Sequence, residues 1–98
     1  METAVLLYDL NISYGLELPE TATMEALQAA LAERINVMIN KDFNGLVQLL
    51  YRIDVNEAKL RLVLRDNQAS DSAQLIARLI LERQWQKILT RREYGRKT

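Results

Sequence analysis

Residues 42–57, with the sequence DFNGLVQLLYRIDVNE, decide the fold predicted for this chain. At about 100° of rotation per residue, their apolar side chains cover more than half of a helix circumference. These apolar residues are Phe43, Leu46, Val47, Leu49, Leu50, Tyr51 and Ile53. Because a surface helix usually carries a single apolar stripe, the pattern predicts a central helix that contacts neighbours on several sides.

The helical pattern changes phase at Asp54. The segment DVNE places a carboxylate at Asp54 three residues before Glu57, which is the spacing of a capping box. This spacing predicts that one helix ends near Ile53 and that Asp54 caps the next. A single uninterrupted helix to Arg65 is the alternative.

The composition favours a single all-α domain, 1–98. The chain has 98 residues, a length typical of one domain, and 49% of them are hydrophobic. It has only three Gly and one Pro, so long helices are favoured over a loop-rich sandwich or barrel. We therefore predict a bundle of three or four helices, with the helical core at residues 20–92.

The chain contains neither Cys nor His. Their absence excludes thiolate nucleophiles, histidine general bases and the usual zinc ligands. Ser13, Ser70 and Ser72 have no His to activate them, and the three glycines are too isolated to form a phosphate-binding loop. The acidic residues also lack the spacing of a calcium-binding loop. We therefore predict a non-enzymatic protein with no catalytic residues, no metal and no cofactor.

The cellular location is predicted from three absences. A chain without Cys is typical of a reducing compartment. The first basic residue is Arg34, so the N-terminus lacks the positive region of a secretory signal. No apolar run approaches the ~20 residues that span a bilayer. A soluble cytoplasmic protein without a membrane span is expected.

The N-terminal segment alternates with a period of two residues. The apolar members of this alternation are Leu6, Tyr8, Leu10, Ile12, Tyr14, Leu16 and Leu18. The period is typical of a strand, but a strand needs a pairing partner, and residues 59–65 are the only other candidate. Because residues 59–65 also fit a short helix, which we prefer, residues 1–19 are predicted to form an extended arm over apolar helix faces. If they form a strand instead, we expect its partner to be the same segment of a second chain.

The residues after Pro19 carry the chemistry of a helix start. Thr21 or Thr23 is suited to act as the N-cap of a first helix that runs to about Asn40. The apolar side chains of this helix lie on one narrow face, made of Met24, Leu27, Leu31, Ile35, Met38 and Ile39.

The last helix is predicted at 73–92, after a turn-rich linker at 66–72 in which Ser70, Asp71 or Ser72 acts as its cap. It carries two nearly opposite apolar faces. The first face is Leu75, Ile76, Leu79 and Ile80, and the second is Leu81, Trp85, Ile88 and Leu89. A straight helix in a monomer would expose one face, so either the helix bends near Glu82 or the second face contacts a partner. We predict that the second face is a partner interface.

Charge is unevenly distributed, although the net charge is zero. Residues 1–33 contain six acidic and no basic residues, whereas residues 78–98 contain seven basic and two acidic ones. This polarity favours contact between the two ends, within one chain or between two. The basic end, with Arg91, Arg92, Arg96 and Lys97, is also a candidate site for nucleic acid or an anionic surface. Because its charges spread around the helix, we prefer a frayed, solvated tail at 93–98 and treat nucleic-acid binding as the secondary hypothesis.

Two smaller groups of residues are candidates for other roles. Tyr51, Arg52 and Asp54 are suited to line a small-ligand pocket, although such trios more often cap helices. Arg83 lies on the first apolar face of the last helix, so we expect it to be partly buried and to need a carboxylate partner.

Two stretches resemble small all-helical bacterial proteins that have no assigned activity. They are residues 46–60, LVQLLYRIDVNEAKL, and residues 75–88, LIARLILERQWQKI. The resemblance spans roughly the last two thirds of the chain, implies a helix at 59–65 and supplies no functional residues. The excess of apolar surface favours a helical interaction or regulatory module that acts as a homodimer or binds another protein.

Overall fold

The structure, a computed structural model, describes residues 1–66 and 69–97. The described residues form five helices and no strand, which confirms the all-α class. The helices are α1 (Thr3–Tyr14), α2 (Met24–Lys41), α3 (Phe43–Ile53), α4 (Glu57–Asp66) and α5 (Ala69–Lys97). Five helices exceed the predicted three or four, chiefly because the N-terminal segment is itself helical.

The prediction of an extended arm at residues 1–19 is wrong for Thr3–Tyr14, because these residues form α1. The alternation with a period of two is real, but Val5 precedes its first member and Leu7 falls between its first two members, so this segment is apolar on every side. A lone strand would leave its backbone N–H and C=O groups without partners, whereas a helix pairs its own. As a helix, the segment buries Leu6, Leu7 and Leu10 in the core.

The segment after α1 is non-helical up to Thr23 but is not continuously extended, because Glu17 has a left-handed φ of 56°. The helix ends at Gly15, which has a left-handed φ of 62°, and the Gly15 N–H donates to the Asn11 carbonyl oxygen at 2.9 Å. The Asn11 side chain then accepts from the Leu18 N–H at 2.8 Å and donates to the Leu18 carbonyl at 3.0 Å. These two bonds fix the loop so that Leu16 and Leu18 enter the core.

The first predicted helix is confirmed as α2. Thr23 is its N-cap, and the Thr23 hydroxyl oxygen accepts from the Ala26 N–H at 3.1 Å. Its apolar face supplies Leu27, Leu31 and Ile35, whose side chains are completely buried. α2 packs most extensively against α5, so this helix pair forms the centre of the fold.

The start of α3 explains the glycine in its first turn. The Asp42 carboxylate caps this helix by accepting from the Gly45 N–H at 3.0 Å. A methyl group added at Gly45 would collide with that carboxylate. The absence of a side chain therefore lets Asp42 cap the helix.

The predicted break after Ile53 is confirmed, but the predicted capping box is wrong. Asp54 is the C-cap of α3, with a left-handed φ of 65°, and its N–H donates to the Leu50 carbonyl at 3.0 Å. An N-cap residue needs an extended backbone, so Asp54 does not cap α4. Asn56 takes that role, since its side-chain oxygen accepts from the Lys59 N–H at 3.0 Å. The preferred helix at 59–65 is confirmed within α4.

The last helix is longer than predicted at both ends. It begins at Ala69, so the expected caps Ser70, Asp71 and Ser72 lie inside its first turns, and the remaining linker positions 67 and 68 fall outside the described residues. The helix continues to Lys97 and so includes residues 93–97 of the predicted tail. Position 98 is outside the described residues.

Candidate functional site

The face predicted to bind a partner is largely covered by the chain itself. Leu81 and Ile88 are buried, Trp85 is partly buried against the core, and only Leu89, at 46%, is substantially exposed. This prediction is therefore wrong for Leu81 and Ile88. The physical reason is α1, which lies along the C-terminal half of α5 and was not expected to be a helix.

Contacts between the acidic and basic ends of the chain hold α1 in this position. Arg91 donates to the Asp9 carboxylate at 2.9 Å, and Arg92 pairs with Glu2. The hydrogen bond from Arg92 lowers the pKa of Glu2, and the same bond raises the pKa of Arg92. The acidic N-terminal end and the basic C-terminal end therefore contact each other within one chain.

Two of the four basic residues predicted to bind anions take part in these contacts. Arg91 is engaged by Asp9, while Arg92 pairs with Glu2 and lies with its guanidinium carbon 5.3 Å from the centre of the Trp85 ring. The side chains of Arg96 and Lys97 lie outside the described residues. Of these four residues, the structure therefore describes the side chains of Arg91 and Arg92, and both are paired with carboxylates of α1 or its N-cap.

The trio of Tyr51, Arg52 and Asp54 does not form one pocket. Arg52 points towards α1, donating to the Ser13 carbonyl at 2.9 Å, whereas Tyr51 is 85% exposed on another side of α3. Asp54 accepts from Arg83 at 3.3 Å, so the partly buried Arg83 has the carboxylate partner that the sequence demanded.

The central helix is less buried than its sequence suggested. One stripe of α3 faces the core and contains Leu46, Leu49, Leu50 and Ile53. A second stripe, Phe43, Val47 and Tyr51, is spaced by four residues and stays exposed at 54%, 50% and 85%. The prediction of neighbours on several sides is therefore wrong, because α2 and α5 pack against α3 while α4 packs mainly against α5.

The space between α3 and α4 is an apolar groove of about 560 Å³. The exposed stripe of α3 forms one wall, and Leu60 and Leu64 of α4 form the other. No residue of α4 is fully buried, and Leu64 is 48% exposed. The groove is thus a large apolar surface that this chain leaves uncovered. The sequence signal for it was the spacing of Phe43, Val47 and Tyr51, which forms a stripe separate from the core-facing one.

The polar side chains around the groove already have partners. Asp54 is paired with Arg83, the Asn56 side-chain oxygen caps α4, and Glu57 lies 3.7 Å from Arg61. Binding in the groove therefore depends on shape and apolar contact, since these polar groups are committed to the fold. Such a surface suits a protein segment better than a small molecule that needs converging polar groups.

Residues 1–66 and 69–97 contain no group of three acidic side chains placed to hold a metal ion. Within the same ranges, no helix is long and apolar enough to cross a membrane. In comparisons with known proteins, no family model, curated protein or solved structure matches the chain.

Proposed function

We propose that this chain is a non-enzymatic helical interaction module that forms a homodimer through the groove between α3 and α4. The observation that carries the proposal is the exposed stripe of Phe43, Val47 and Tyr51 beside the leucines of α4. A whole Phe or Tyr side chain presents on the order of 150–250 Å², and about half of this area is open at Phe43 and most of it at Tyr51. A contiguous apolar patch of several hundred Å² on a soluble protein is typical of an interaction site.

The stripe on α3 is suited to pair with a second copy of itself. Val47 lies midway between the two aromatic residues, four positions from each. If two α3 helices pack antiparallel about a twofold axis at Val47, each Phe43 lies beside Tyr51 of the partner subunit. Most homodimers have such an isologous interface, in which the same patch serves both subunits. The leucines of α4 then cover the flank of the partner's helix.

Electrostatics is compatible with self-association. The formal net charge of the chain is zero, so two copies do not repel each other at long range. We prefer this function to nucleic-acid binding because a chain of zero formal net charge lacks the excess of basic residues that is typical of nucleic-acid binders. We also propose a cytoplasmic location, which suits a chain without Cys.

Tyr51→Asp tests the proposed dimer. We expect wild type to sediment as a dimer at tens of micromolar, and the substitution to weaken dimerisation at least about thirtyfold, because a charge would be desolvated at the interface centre. Tyr8→Asp is the matched control, since Tyr8 is 68% exposed on α1, away from the groove. The measurement is sedimentation velocity over a concentration series. A wild type that stays monomeric at these concentrations, or equal effects of the two substitutions, contradicts the proposal.

A further inference from the structure

A second cavity of about 430 Å³ lies where the C-terminal ends of α1 and α3 meet α5. Three basic residues of α5 line it: Arg83, Lys87 and Arg91. They are spaced by four residues, so they project from one face of the helix. The sequence had suggested that the basic charges of α5 spread around the helix, yet these three share one cavity.

Tyr14 of α1 is the centre of this basic cluster. The Lys87 ammonium lies 3.3 Å from the Tyr14 hydroxyl oxygen and 6.0 Å from the centre of its ring. The Arg52 guanidinium carbon lies 5.2 Å from the ring centre. The Tyr14 hydroxyl donates to Gln84 at 3.0 Å, and Gln84, which is only 3% exposed, also donates to Asp9. The floor of the cavity is therefore fixed by buried hydrogen bonds.

The cations of the cluster outnumber its carboxylates. Arg91 pairs with Asp9, and Arg83 pairs with Asp54. Within the described part of the chain, neither Arg52 nor Lys87 has a carboxylate at ion-pair distance. Two positive charges are thus left over in the cluster.

Part of this positive charge has a structural role at the ends of helices. Arg52 donates to the Ser13 carbonyl at 2.9 Å, and Lys87 donates to the Arg52 carbonyl at 3.3 Å. Cations at helix C-termini are favourable because the last carbonyls are partly negative. These bonds leave donors unused, however, because an ammonium group has three N–H groups and a guanidinium has five.

We propose that this cavity binds a phosphate group, either as inorganic phosphate or as the phosphate of a small monoester. The excess positive charge, one unit from Lys87 in the cavity lining and one from Arg52 beside Tyr14, favours a phosphate dianion. Lys87 supplies a point charge at the centre, and Arg83 and Arg91, four residues to either side, offer the guanidinium N–H groups that their pairs with Asp54 and Asp9 leave unused. The cavity volume leaves room for an organic substituent. This site is separate from the groove, so it does not depend on the proposed dimer.

Titration with inorganic phosphate and with phenyl phosphate, at constant ionic strength, tests the proposal. Amide chemical shifts of α5 and the C-terminal end of α1 report the binding. We expect Lys87→Gln to weaken phosphate binding at least about tenfold, because it removes a charge-assisted hydrogen bond. Arg78→Gln is the matched control, since Arg78 pairs with Glu82 and does not line the cavity. It is expected to bind phosphate like wild type.

A second variant, Arg52→Gln, removes a cation from a different helix and is also expected to weaken binding. Tighter binding of phenyl phosphate than of inorganic phosphate supports a monoester ligand, and equal or weaker binding supports inorganic phosphate. The proposal is overturned if neither compound binds wild type. It is also overturned if Lys87→Gln binds phosphate as well as Arg78→Gln does.

Discussion

Leu10→Ala is expected to lower the free energy of unfolding by about 2–5 kcal/mol, the range for large-to-small substitutions in a core. Leu10 is completely buried between α1 and its neighbours, so the substitution leaves a cavity. A loss of this size is a large fraction of the 5–15 kcal/mol that typically stabilises a domain. Equilibrium urea unfolding followed by circular dichroism measures the effect.

Ile12→Ala is the matched control for this substitution. Ile12 is two residues further along α1 and 67% exposed, so a change of at most about 0.5 kcal/mol is expected. In a strand, residues two apart point to the same side, whereas in a helix they lie on nearly opposite sides. Similar losses for Leu10→Ala and Ile12→Ala would mean that this segment is extended rather than helical.

Ile88→Asp is expected to prevent stable folding at 25 °C. Ile88 is 3% exposed, and an unpaired carboxylate at a buried position costs several kcal/mol, comparable with the whole stability of a small domain. The far-ultraviolet circular dichroism spectrum and a thermal unfolding curve measure the result.

The neighbouring substitution Leu89→Asp tests whether this face of α5 is covered by α1 or contacts a partner. Leu89 is partly exposed, so the variant is expected to fold and to have the same oligomeric state as wild type. A folded Ile88→Asp variant would show that α1 does not cover this face. If Leu89→Asp dissociates the dimer while Tyr51→Asp does not, the interface is on α5 rather than in the groove.

The sequence was sufficient to predict the elements whose signals are local. Helical periodicity and a threonine cap located α2, and the change of phase at Asp54 located the end of α3. The left-handed backbone conformation of Asp54 was not predicted. A residue in this conformation ends one helix instead of starting the next. Asn56, two residues later and not predicted as a cap, caps α4 instead.

The mispredicted N-terminal segment shows why periodicity can fail. A segment that is apolar on every side satisfies both the strand period and the helix period, so the pattern alone does not choose between them. Tertiary structure makes the choice here, since Tyr14 bonds to Gln84, 70 residues away. The same segment also contacts α5, through Tyr14 and Asp9, and the strand-like pattern does not predict this packing of one helix against another.

The position of neither candidate site could be predicted from the sequence. The groove exists because α4 packs against α5 rather than closing onto α3, which depends on the geometry of the short link at residues 54–56. The basic cavity exists because three helices bring Tyr14, Arg52 and Lys87 together. In both cases the residue types were visible in the sequence, but their grouping is a property of the packing.

Cysteine cross-linking at Val47 tests the central claim, that two copies pair through the α3 stripe, most directly. The chain has no Cys, so Val47→Cys carries a single thiol, and Tyr8→Cys provides an exposed control elsewhere. At a twofold axis, the Cβ atoms of the two introduced cysteines lie about 3.5–4.5 Å apart, which is the separation that a disulfide requires. Under mild oxidation, Val47→Cys is predicted to give a disulfide-linked dimer on a non-reducing gel, and Tyr8→Cys to remain monomeric. Equal cross-linking of both variants, or cross-linking of Tyr8→Cys alone, would contradict the claim.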